Sequence, residues 1–193
     1  MNENTAMQRK PLEDMTLQEL WELFPIILSE HKDCWRQWAA EEIAMLETVL
    51  GRDAKRISHI GSTAVERIMA KPIVDILPEA ADGTSFDAIR PRIESVGYRL
   101  MSESGTRMSF NKGYTPDGFA DKVFHLHLRR AGDNDELRFR DYLNSHPDKA
   151  QEYESLKIGL WKRFEHDRDA YTHAKTDFIV RHTQLAKLEN PDE

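Results

Sequence analysis

The sequence predicts an α/β (α+β) protein, a mixed β-sheet flanked by helices with a C-terminal helical segment. Three observations carry that expectation. The middle third alternates short β-branched runs with a helical pattern, punctuated by Gly and Pro. The last third holds only two glycines, Gly132 and Gly159, and reads as helix. A long amphipathic stretch with a glycine stop precedes the first strand. Helices before, between and after strands imply a sheet layered against helices.

The elements follow in order. Residues 1–13 are polar and are expected to be flexible. Thr16-x-x-Glu19 has the spacing of a capping box and opens a short helix that Pro25 interrupts. Ile26-Ile27-Leu28 reads as extended. A helix over 33–50 places Trp35, Trp38, Ile43, Leu46 and Val49 near helical spacing, with Glu41, Glu42 and Glu47 between them and Gly51 as its stop. Strands are predicted over 55–60 and 72–77, and a helix over 85–96 with Phe86, Ile89, Ile93 and Val96 on one face, interrupted by Pro91 and ended by Gly97. Three strands over 98–101, 107–111 and 123–129 follow, joined by turns rich in Gly and Pro. Helices are predicted over 135–144, 147–165 and 169–188, the second opened by Pro147. The organisation expected is one domain over 14–188, with a core over about 55–130 and helices over about 133–188.

Composition narrows the function. The chain has 193 residues, enough for a real core, with 39% apolar and 32% charged residues. A formal net charge of −7 argues against sequence-specific nucleic-acid binding. Cys34 is the single cysteine, which suits a reducing compartment. No apolar run approaches the roughly 20 residues of a membrane span, and the polar N-terminus lacks the apolar core of a signal peptide. A cytoplasmic location with no membrane partner is the expectation.

Four segments carry chemistry. Ile60-Gly61-Ser62-Thr63 ends a strand in a glycine turn and opens a helix, a combination that favours phosphate, with hydroxyls from Ser62 and Thr63. Thr63-x-x-Glu66 equally fits a capping box that would satisfy that end internally. In Lys71-Pro72-Ile73-Val74-Asp75-Ile76-Leu77-Pro78-Glu79 a carboxylate interrupts an apolar strand, so Asp75 needs a cleft, a metal, a cation or a turn to cap. In Val123–Arg129 alternation puts His125, His127 and Arg129 on one face and Phe124, Leu126 and Leu128 on the other. Two imidazoles there suit a metal or phosphate, or a merely hydrogen-bonded polar face. The helical third carries Arg138, Arg140, Tyr142, Lys157, Lys162, Arg163, Arg168 and Lys175. Tyr171 and Lys175 share a helix face at four-residue spacing, either as a phosphate-binding surface or as a solvated one.

His59–Val65, Ala70–Leu77 and His125–Leu128 together resemble the GrpB-like family. So do Phe139-Arg140-Asp141-Tyr142-Leu143, His146-Pro147, Tyr153, Leu156-Lys157 and the stretch from His166 to Lys175. The resemblance runs from about Met15 to Leu188 and implies a nucleotidyltransferase-like fold in a family whose function is largely unassigned. Some relatives are fused to an enzyme of coenzyme A synthesis. In the wider superfamily a Gly-Ser turn holds nucleotide phosphates, and a pair of carboxylates two residues apart binds Mg²⁺, joined by a third from a later strand. That correspondence falls on Gly61, Ser62 and Asp75, whereas Leu77 fills the second carboxylate position and His125 and His127 stand on the later strand. Glu66-Arg67 replaces a Pro-Gly common in relatives.

The resemblance thus implies a nucleoside triphosphate or phosphorylated metabolite as ligand and a divalent cation, Mg²⁺, as cofactor. Asp75, Glu79, His125 and His127 are the candidate metal ligands, with Asp75 and His127 catalytic. Gly61, Ser62, Thr63, Lys157, Tyr171 and Lys175 are the candidate binding residues. The competing expectations are a catalytically inactive binding module and a structural or partner-binding domain.

Overall fold

The computed structural model describes residues 10–191. The flexible segment expected over 1–13 lies outside the described residues as far as residue 9, and Leu12–Asp14 form a 3₁₀ turn. Thr16 opens helix α1 (Leu17–Leu23) with the expected capping box: its hydroxyl accepts from the Glu19 N–H at 3.3 Å, and the Glu19 carboxylate accepts from the Thr16 N–H at 2.6 Å. Beyond Pro25 the chain is extended but outside the sheet. The Ile26 N–H donates to the Glu165 carbonyl, and Ser29 exchanges backbone bonds with Ala70. Helix α2 (Cys34–Leu50) ends at Gly51. It buries Trp35, Ala39, Leu46 and Leu50. Glu42, which lies between the apolar positions, is buried as well, and its carboxylate meets Lys112 from the sheet at 2.8 Å.

The sheet has the order β1-β2-β5-β4-β3. Its strands are β1 (Ala54–Ile60), β2 (Val74–Ala80), β3 (Arg99–Ser104), β4 (Arg107–Thr115) and β5 (Gly118–Arg130). Only the β2–β5 pair is parallel. Such a pair needs a crossover, supplied here by helix α3 (Phe86–Ser95) with β3 and β4. On one face Val74, Ile76, Phe124, Leu126 and Leu128 form the main core with α2 and α3. Register then places Ile60 opposite Asp75, Asp75 opposite His125, Asn111 opposite His125 and Ser109 opposite His127 on the other face.

That second face is only half covered. Helices α4 (Asp135–Ser145), α5 (Pro147–Arg163) and α7 (Thr176–Glu189) form a second cluster, in which Val65 and Ile68 from the β1–β2 loop pack with Phe139, Tyr142, Leu143 and Tyr153. The single helix expected over 169–188 is two: α6 (Arg168–His173), capped by the Asp167 carboxylate, and α7 after a break at Ala174–Lys175.

The β1–β2 loop departs most from expectation. Gly61 turns the chain with φ 71° and ψ −172°, but only a 3₁₀ turn, Ser62–Ala64, follows. The capping box from Thr63 to Glu66 does not form. Thr63 turns inward to His59 Nε2 at 2.9 Å and the Ile73 carbonyl at 3.4 Å, and exposed Glu66 reaches Arg36. The C-terminal helices hold the loop by its backbone. Arg140 donates to the His59 carbonyl at 2.6 Å, and Asn144 donates to the Ala64 carbonyl and accepts from the Glu66 N–H. Glu154 accepts from the Met69 N–H and Lys157 donates to its carbonyl.

Two positions in this loop generate expectations. A Cβ at Gly61 would lie 2.2 Å from Asp75 Oδ2, in a backbone region essentially reserved for glycine. Gly61→Ala is expected to lower stability by roughly 1–3 kcal/mol in denaturant unfolding and to displace the Asp75 carboxylate. Arg67 has φ 62° and is the one non-glycine residue with positive φ among the described residues. It stands where the resemblance places a glycine. Arg67→Gly is expected to raise the unfolding midpoint, by about 0.5–1 kcal/mol of stability.

Candidate functional site

The site gathers where β2 and β5 lie in parallel register. Asp75 is three-quarters enclosed, with a side-chain exposure of 24%. Its Oδ1 lies 3.2 Å from His127 Nε2 and 3.4 Å from His125 Nδ1. Burial raises the Asp75 carboxyl, but the hydrogen bonds with His125 and His127 outweigh it, and the net shift is strongly downward. Burial in turn holds the His125 imidazole below its usual range. The far nitrogen of His125, Nε2, meets the Tyr114 hydroxyl at 2.8 Å, and Arg168 donates to that hydroxyl at 3.0 Å. Tyr114 reaches this face because the β4–β5 register shifts between Lys112 and Tyr114. Gly113 makes the bulge with φ 90°, where a Cβ would strike the Lys122 carbonyl at 2.4 Å.

Cations converge beside the carboxylate. Lys71 precedes β2, Lys175 follows α6, and both ammonium groups lie over the buried Tyr171 ring, at 5.4 and 4.5 Å from its centroid. Desolvation, then repulsion from Lys175 and Arg168, lowers Lys71 to about 7. Desolvation lowers Lys157 to about 7, helped by Lys175, and lowers Lys175 to about 8. Lysines that repel one another at partial burial are costly for the fold, and the carboxylate acting on Lys71 and Lys175 is Asp75, with Glu154 acting on Lys157. Such an arrangement gains most from a bound anion. The Tyr153 hydroxyl comes to Ser62, and burial pushes its phenol up to about 12.

The other half of the sheet face opens into a cavity of about 690 Å³. His125, His127, Ser109, Asn111 and Tyr114 form its polar floor. Leu17, Leu20 and Trp21 of α1 and Leu100 and Met101 of β3 form apolar walls. Its size suits a small molecule with a few polar groups at one end.

Among the residues singled out from sequence, Gly61, Ser62, Asp75, His125, His127, Tyr171 and Lys175 fall in or around this cleft. Three do not reach it freely. Thr63 faces inward. Lys157 is 2% exposed, with its ammonium held at the Met69 carbonyl and over the Tyr153 ring. Glu79 is placed elsewhere: β2 runs straight through Pro78, and the carboxylate is buried against Arg56 and the Gly132 N–H at 3.0 Å. Leu77, on the same strand face, is fully buried with Ile60 and Leu137. The residues not singled out as ligand-binding are Lys71 and Tyr114, whereas Arg168 belongs to the basic helical third named from sequence. Lys71 is signalled by its place just before the strand that carries Asp75. Tyr114 had no signal, because the bulge that turns it inward is invisible in the alternation.

Comparisons agree with this architecture. The family model described as GrpB protein matches residues 25–185. A UPF0157 protein of Pseudomonas aeruginosa is 37% identical over 150 residues, covering 76% of this chain and 62% of the relative, so the chain spans under two thirds of that protein. The glutamate-rich protein GrpB of Alkalihalophilus pseudofirmus is 35% identical over 162 residues, covering 80% of this chain and 91% of the relative. The crystal structure of the conserved protein GrpB from Enterococcus faecalis superposes with a TM-score of 0.74 at 28% identity, covering 84% of this chain and 98% of that one. A Cid1 poly(U) polymerase structure with Mg 3′-dATP bound gives a TM-score of 0.52 at 10% identity, covering 82% of this chain and 51% of that one, a likeness of fold. With five mixed strands, flanking helices and the Gly61-Ser62 turn ahead of Asp75, the chain belongs to the GrpB family and has a nucleotidyltransferase-like fold.

Proposed function

We propose that the cleft binds a nucleoside triphosphate or a related phosphorylated metabolite, with its phosphates against Lys71, Lys175, Arg168 and the Gly61-Ser62 turn. The carrying observation is the group of mutually repelling, half-buried cations packed over Tyr171 beside Asp75. Lys157 and Thr63 brace the loop instead of touching the ligand. The floor of the cavity, with His125 and His127, receives the acceptor, and His127 lies nearest Asp75 at 3.2 Å.

A second reading, binding without transfer, rests on its own observation. A pair of Mg²⁺ ions demands several hard oxygen ligands. Among the described residues only Asp75 supplies a carboxylate here, since Leu77 belongs to the core and Glu79 is spent on Arg56. Incubation with labelled nucleoside triphosphates and a metabolite pool, across divalent cations, separates the two readings: a nucleotide-dependent product supports transfer, and binding without product supports the inactive module.

Two outcomes test the phosphate cleft itself. Lys175→Ala and Arg168→Ala are each expected to weaken triphosphate binding about tenfold or more by calorimetry, the value of a charged hydrogen bond. Unchanged affinity in both would remove the assignment. Lysines held near 7 and 8 lose charge as pH rises through those values, so affinity is expected to fall between pH 6.5 and pH 9. Binding at pH 8 is expected to take up protons, seen as a dependence of the calorimetric enthalpy on buffer ionisation. A pH-independent affinity would show that these lysines do not face the phosphates.

A further inference from the structure

The donor set around Asp75 is unlike a magnesium site. It offers one carboxylate oxygen and two imidazole nitrogens, from Asp75, His125 and His127, all within 4.8 Å of one another. Three ligands about 2.1 Å from a common centre at tetrahedral angles stand about 3.4 Å apart. Asp75 Oδ1 lies 3.2 Å from His127 Nε2 and 3.4 Å from His125 Nδ1. The three side chains come from neighbouring parallel strands in register, Asp75 directly opposite His125, so backbone pairing fixes their separation.

The surrounding contacts also suit a metal site. His125 turns its outer nitrogen to the Tyr114 hydroxyl at 2.8 Å, leaving Nδ1 to face the carboxylate. An outer partner of this kind orients a ligating imidazole and selects its tautomer. The cavity lies against both histidines, so positions beyond the three protein ligands open onto space where water or substrate can sit. Imidazole nitrogens favour later first-row dications over Mg²⁺, which prefers six oxygens.

We propose that Asp75, His125 and His127 form a three-ligand site for a single divalent cation of the zinc or cobalt kind, with open positions facing the cavity, and that this site discriminates against Mg²⁺. The assignment deepens the phosphate-cleft reading and rests on it for the ion's use, although not for its binding. Lys71 and Lys175 oppose a dication here, because each already interacts with the Asp75 charge. Removing one of them therefore strengthens the ion's hold.

The test uses the chelator-stripped chain, with no nucleotide present, titrated separately with Zn²⁺, Co²⁺, Mn²⁺ and Mg²⁺. One equivalent of Zn²⁺ or Co²⁺ is expected to bind, about a hundredfold or more tighter than Mg²⁺, with Co²⁺ giving the visible absorption of a low-symmetry site. His125→Gln and His127→Gln are each expected to weaken Zn²⁺ at least about tenfold, and Tyr114→Phe to weaken it less. Lys175→Met, which leaves all three ligands in place, is expected to tighten it severalfold. This arm stands even if a histidine variant folds poorly. Mg²⁺ binding as tightly as Zn²⁺, or Zn²⁺ binding unmoved by both histidine variants and by Lys175→Met, overturns the site. Loss of triphosphate binding with metal binding intact would instead remove only the phosphate reading.

Discussion

The absence of a side chain at residue 61 is the constraint on which the cleft depends. The Asp75 carboxylate occupies the space a Cβ there would fill. From that contact outwards the polar groups are placed in sequence: Asp75 against His125 and His127, His125 against Tyr114, Tyr114 against Arg168. Each link joins a different strand or helix. The backbone ladder of β2, β5 and β4 fixes the first members, and the start of α6 fixes the last. A carboxylate so enclosed is tolerable only because nitrogen donors and nearby cations stabilise its charge.

The C-terminal helices hold the other side of the cleft mainly through backbone. Arg140, Asn144, Glu154 and Lys157 all bond to main-chain groups between His59 and Met69. Val65 and Ile68 anchor the same loop by burying among those helices. The loop that bears Gly61 has no regular structure beyond a 3₁₀ turn, so its position depends on these bonds from the helical layer. Several of the charges that read as a ligand-binding surface are structural ties, and the ammonium of Lys157 is the clearest case.

Period-two alternation was enough to put His125 and His127 on one face and Phe124, Leu126 and Leu128 on the other, and β5 follows it. The capping box at Thr16 and the glycine stop at Gly51 are local signals, and both operate. Non-local features were opaque. Thr63-x-x-Glu66 has the spacing of a cap, yet tertiary bonds from Asn144 and the inward turn of Thr63 override it. At Pro78, which cannot donate a backbone bond, β2 loses its pairing to β5 across Leu77 and Pro78 and resumes it at Glu79 in the same register. The bulge at Gly113 reverses the facing of Tyr114, which strict alternation assigns to the opposite side. The break at Ala174–Lys175 splits a pattern that reads as one helix, although Lys175 still reaches Tyr171.

Part of the apolar wall of the cavity, other than Leu100 and Met101 of β3, has a separate origin. Leu17, Leu20 and Trp21 belong to α1, which precedes the segment matched by the GrpB family model. The cations, the Gly61 turn and Asp75 all lie within that segment. The two ends of the cleft are thus encoded independently: exchanging a handful of residues in one short capped helix would reshape what the cavity admits, while leaving the charged end untouched. A shared scaffold can diversify in this way without disturbing the buried carboxylate around which it is built.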